Sequence, residues 1–195
     1  MELRDRIADP AAEIERIAAW LDALDPEARV TETRALDPSS QRRLWRLARG
    51  RLIDLDHFVP PDRAPLQTVR HFGRNTLPAF KHFEKRFCRP PKAEDQSVLW
   101  GYNHGASAPL VGPGYFVVRD TGGDSRGEVV IDYTRIPPGK PAEWPALAVN
   151  ERGLSRVVYA GMHDYMRKVS AHVSIGRAYK GGRETINHFV LCREP

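Results

Sequence analysis

Apolar positions along the chain follow two rhythms, one of three to four residues and one of two. In the first quarter Ile14, Ile17, Ala18, Leu21 and Leu24 recur at helical spacing, as do Leu44, Trp45, Leu47 and Ala48 further on. Asp9-Pro10, Asp25-Pro26 and Asp37-Pro38 stand at the heads of such stretches. An aspartate at an N-cap accepts a hydrogen bond from a free helix amide, and a proline at the first helical position gives up no bond the helix needs. The pattern predicts helices over Pro10 to Leu24, Pro26 to Ala35 and Pro38 to Arg49, the last closed by Gly50.

A turn-rich stretch from Leu52 to Arg63 separates this segment from the rest. Leu66 to Phe72 reads as a helical turn before Gly73. Leu77, Phe80, Phe83 and Phe87 suit a helix, while Phe83, Lys85, Phe87 and Arg89 alternate as in a strand, so Leu77 to Cys88 stays open between the two. Val98 to Tyr102, Tyr115 to Arg119 and Glu128 to Thr134 carry the β-branched and aromatic content of strands. Leu154, Val157, Val158, Met162, Tyr165, Met166 and Val169 return to helical spacing, and near Lys168 the period changes to two. A hairpin follows, turning at Gly181-Gly182 and returning over Thr185 to Arg193.

These elements predict an α+β fold: an antiparallel β-sheet of about five or six strands covered by helices, with an N-terminal three-helix segment and a C-terminal helix plus β-hairpin. Residues 1–50 form the helical segment and 51–195 the α+β body, in one continuous domain. With Lys180 opposite Arg183, the expected register sets Val173 against Val190, Ala171 against Cys192 and Ile175 against His188. That face is apolar. The other carries Ser170, His172, Ser174, Gly176 and Ala178 with Thr185, Asn187, Phe189 and Leu191, and its small residues leave room for a covering helix or a ligand.

Hydrophobic residues make up 41% of the 195 and charged residues 28%, enough apolar content for a packed core. The net charge of +5 favours anionic partners without requiring one. Two cysteines, Cys88 and Cys192, make neither a disulfide framework nor a zinc knuckle, and together with an N-terminus lacking an apolar leader they point to a cytoplasmic protein. No run approaches the length of a spanning helix.

Candidate chemistry is sparse. Gly101-Tyr102-Asn103-His104-Gly105 leaves a strand for an apolar loop ending at Tyr115, with no charged residue from Leu99 to Val118. Such a stretch suits a pocket for a small anionic or amphipathic ligand, with Asn103, His104, Tyr115, Asp132, His172 and Asn187 as its contacts. A second reading makes the chain a nucleic-acid-binding or scaffold protein acting through Arg42, Arg43, Arg46, Lys81, Lys85 and Arg89. A third makes it an enzyme with His104 as general base and Asp132 as its orienter. Asp120-Thr121-Gly122 lacks the second copy an aspartic protease needs, Ser107 sits in no nucleophile elbow, and the seven histidines show no metal-ligand spacing. No cofactor is indicated.

Overall fold

A computed structural model of the chain describes residues 1–106, 111–150 and 153–194. Ser107 lies outside them. Four helices come first: α1 (Leu3–Ala8), α2 (Ile14–Ala23), α3 (Pro26–Ala35) and α4 (Pro38–Leu47). Asp25 and Asp37 cap α3 and α4, accepting from the amides of Ala28 at 2.9 Å and Ser40 at 2.8 Å. The third Asp-Pro step works differently. Asp9 closes the unexpected α1, its carboxylate accepts from the Ala11 amide at 2.8 Å in a local turn, and α2 begins only at Ile14.

The body is a closed barrel of eight antiparallel strands, not an open sheet of five or six covered by helices. In order these are β1 (Val69–Asn75), β2 (His82–Cys88), β3 (Val98–His104), β4 (Phe116–Asp120), β5 (Val129–Asp132), β6 (Met162–Lys168), β7 (Val173–Lys180) and β8 (Arg183–Arg193). Each pairs with the next, and β8 returns to pair with β1 from His71↔Arg193 to Asn75↔Phe189. Closure removes both sheet edges. Two further short helices among the described residues are α5 (Leu55–Phe58) and α6 (Gly153–Val158).

Three segments account for the correction. Leu66 to Phe72 contributes to β1, the ambiguous Leu77 to Cys88 contains β2, and the predicted closing helix shrinks to α6 because Met162 onward is strand. In β6 alternate residues face different cores. Met166 packs inside the barrel, while Tyr165 joins the layer between the wall and α1, α2 and α4. A strand covered on both faces has no polar side, so its apolar residues fall at spacings that also suit a helix.

The β7–β8 turn is the one expected, with Gly181 at φ 57° and Gly182 at φ 78°, and Lys180 pairs with Arg183. A bulge between Arg177 and Tyr179 then shifts the ladder by two residues, so that Val173 faces Cys192, Ile175 faces Val190 and Arg177 faces His188. The outer face of this hairpin packs against Leu21, Leu36 and Leu44 of the helical layer. The inner face, with Gly176 and Phe189, lines the barrel.

Glycines on the inner wall make room for rings. A Cβ on Gly73 would stand 2.6 Å from Phe83, one on Gly101 2.2 Å from Phe116, and one on Gly176 2.3 Å from Phe189. One end of the barrel is sealed by α5, whose Phe58 meets Phe87 at 5.3 Å and stacks on His71 at 5.7 Å between centroids. Its fold there is set by Asp54, which caps the helix through the His57 amide at 2.9 Å. At the other end lie the β1–β2, β3–β4, β5–β6 and β7–β8 connections. No helix among the described residues is long and apolar enough to cross a membrane.

Candidate functional site

The open end leads into a cavity of about 420 Å³. Its walls are apolar, built from Phe83, Phe189, Met162, Val111 and Ala178, and the exposed Leu77, Phe80, Val157 and Val158 stand at its mouth. Phe80 keeps a φ of 50°, uncommon for a residue with a side chain. The Asn75 carboxamide holds the loop, donating to the Phe80 carbonyl at 3.2 Å and accepting from the Leu77 amide at 2.9 Å.

Inside, four polar side chains from four strands or their ends converge. The Lys85 ammonium donates to Asn103 Oδ1 at 2.9 Å, to Asp164 Oδ2 at 3.3 Å and to the Tyr133 hydroxyl. The Tyr133 hydroxyl donates to Asp164 Oδ2 at 3.2 Å, and Asn103 Nδ2 donates to Tyr133 at 3.1 Å and to the Gly114 carbonyl at 3.2 Å. Tyr159 stacks on Tyr133 with centroids 5.3 Å apart. Four rings surround the Lys85 nitrogen: Phe189 at 4.8 Å, Tyr133 at 5.0 Å, Phe116 at 5.1 Å and Phe83 at 5.7 Å from their centroids. Three of those rings are the ones seated over glycines.

The electrostatics follow from this enclosure. Burial pulls the Lys85 ammonium below its ordinary pKa, with Asp164 opposing. Burial pushes the Asp164 carboxyl up, with Lys85 opposing. Burial, reinforced by the Asp164 charge, holds the Tyr133 phenol well above its usual range, so it stays a proton donor. Amine and carboxyl are thereby drawn toward sharing one proton. The cluster supplies donors and acceptors around a net charge of zero.

The cavity gathers half of the expected contacts. Asn103 points into it, His104 lies at its rim, and Asn187 lines it from β8. His104 itself is exposed, with its ring edge against Tyr102. Tyr115 lies outside the barrel wall, packed on Tyr102 and Trp144, with its hydroxyl donating to the Pro145 carbonyl at 2.6 Å. Asp132 ends β5 facing outward, where His163 approaches at 3.3 Å, Arg135 at 3.6 Å and Arg119 at 3.7 Å. It also accepts from the Thr134 amide at 2.9 Å, so its partners are these and not His104. His172 belongs to the β6–β7 connection at the sealed end, 3.3 Å from Arg193.

The basic residues of the second reading do not share one surface. Lys85 is inside the barrel, Arg43 donates to the carbonyls of Ile7 and Asp9, and Arg89 is tied to Asp56 and the Val59 carbonyl. Arg42, Arg46 and Lys81 remain exposed. Among the described residues no group of three His, Cys, Asp or Glu side chains could hold a metal ion.

Tyr133 and Asp164 are residues that sequence patterning passed over, and Lys85 entered only among the cations of the second reading. A signal for them exists. Phe83-x-Lys85-x-Phe87 and Met162-x-Asp164-x-Met166 each set one charge between two apolar residues at strand spacing, which puts the charge on an apolar face. A charge on a buried face needs an opposite charge, and the barrel brings Lys85 and Asp164 together.

No family model, no curated protein and no solved structure matches the chain.

Proposed function

We propose that the barrel binds a small amphipathic ligand, its apolar body among Phe83, Met162 and Phe189 and its polar end on Lys85, Asn103, Tyr133 and Asp164. The observation that carries this reading is a cavity of about 420 Å³ that is apolar at its walls and mouth and polar at one interior cluster. Small-molecule sites share that composition, with a few placed polar groups fixing the ligand's orientation. Because Asp164 already balances Lys85, the cluster favours a carbonyl or hydroxyl over a full negative charge. The two free, buried cysteines support a reducing compartment such as the cytoplasm as the place of action.

The test is titration of the purified chain with a polarity-sensitive naphthalene dye, followed by competition with medium-chain alkanols. Saturable uptake at one site per chain, displaced by the alkanols and lost in Ala178→Trp, is expected, since the indole would occupy the cavity. A folded wild-type chain that takes up neither dye nor alkanol would remove the reading.

A further inference from the structure

Resting on the cavity reading above, we propose that Lys85 is a covalent site: its amine condenses with the carbonyl carbon of an amphipathic aldehyde or ketone held in the barrel, forming an imine. Of the six lysines in the chain, Lys85 alone is buried, and it is buried beside the cavity. An exposed lysine is protonated at neutral pH and has no free electron pair to give. Lys85 differs because Asp164 Oδ2, 3.3 Å away and buried with it, can take its proton. The opposed shifts of the two groups, both caused by burial, support that transfer.

The remaining steps have groups in place. With the proton on Asp164, the lone pair of Nζ forms the bond to the carbonyl carbon, and the carbonyl π pair moves onto oxygen. One proton passes from nitrogen to that oxygen, giving a neutral carbinolamine, and the Tyr133 hydroxyl, in contact with both Lys85 and Asp164, is placed to relay it. Asp164 then returns its proton to the hydroxyl, the C–O bond breaks, and water leaves with the electron pair as nitrogen closes the double bond. The net change is an ammonium plus a carbonyl giving a protonated imine plus water, with Asp164 a carboxylate at start and finish. The product cation lies within the four rings that surround Nζ and beside its counter-ion, so the enclosure that suits the ammonium suits the iminium as well.

The experiment incubates the full chain with nonanal and sodium cyanoborohydride at neutral pH, then maps alkylated lysines by peptide mass spectrometry. Lys85 should be modified about tenfold faster than any exposed lysine. The Asp164→Asn variant, checked for folding by circular dichroism, should lose that preference. Labelling confined to exposed lysines and the N-terminus would overturn the proposal. Binding of 1-nonanol without an adduct on Lys85 would reject the imine and leave the cavity reading standing, whereas failure of both probes would remove both.

Discussion

Lys85 and Asp164 raise a question of stability at the scale of single residues, because each is an ionisable group withdrawn from water inside the barrel. Desolvating such a pair offsets most of its Coulomb attraction, yet removing one member strands the other. Lys85→Met should therefore destabilise the chain by about 3–5 kcal/mol, while the double variant Lys85→Met/Asp164→Leu should recover most of that loss or exceed wild type. Urea denaturation of wild type, Lys85→Met, Asp164→Leu and the double variant measures it, and additive losses would mean that the pair is not coupled. At this scale the sequence was partly legible. Asn103, His104 and Asn187 stood out because Asn and His beside glycine or within a strand are conspicuous, and all three border the cavity. Lys85 was hidden by its neighbours, since Lys81, Arg86 and Arg89 present it as one more member of a basic surface. Tyr115 and Asp132 have the character of site residues but answer to local partners outside the wall.

At the scale of elements, legibility depended on how many faces an element buries. Helices α2, α3 and α4 bury one face each, and apolar spacing for α2 and α4 and aspartate caps for α3 and α4 located them to within a few residues. β6 was misread because both of its faces are covered, and β1 because Arg70, Phe72 and Arg74 on the outside interleave with His71 and Gly73, leaving little apolar alternation. The helical layer also matters to the barrel itself. Val173, Ile175, Val190 and Cys192 are fully buried and belong to one cluster with Leu3, Leu21 and Leu44. Arg167 reinforces the contact, its guanidinium 3.7 Å above the Trp45 ring and 2.7 Å from the Trp45 carbonyl. Removing residues 1–50 should expose that strand face and yield an aggregated chain by size-exclusion chromatography. A monodisperse, folded 51–195 fragment would show that the barrel does not need its cover.

For the whole molecule, the histidines set the response to acid. His71 is held down to about 3 by burial and His188 to about 4 for the same reason, and burial also takes His57 well below its usual 6.5. In the unfolded chain these rings bind protons near pH 6.5, whereas folded they stay neutral, so the stabilisation they confer is complete above that value and is lost as pH falls toward 4 and then 3. Asp164, raised by burial, acts in the opposite sense. The urea midpoint should fall steadily on acidification below about pH 6.5, and His71→Leu should flatten that slope. A midpoint that is level over this range would contradict the buried, neutral state of these rings.

The plug of Phe58 and His71 at one end has a consequence for whatever the barrel takes in. A tube sealed at the far end admits a guest only lengthwise and stops it at a set depth, so it acts as a gauge. On the proposed reading, the affinity of straight-chain alkanols should rise by about 0.8 kcal/mol for each added methylene until the chain reaches the mouth. Beyond that length further carbons would emerge between Phe80 and Val157 into water and contribute little, and calorimetry across the series would reveal the break. A tube open at both ends would show no such break.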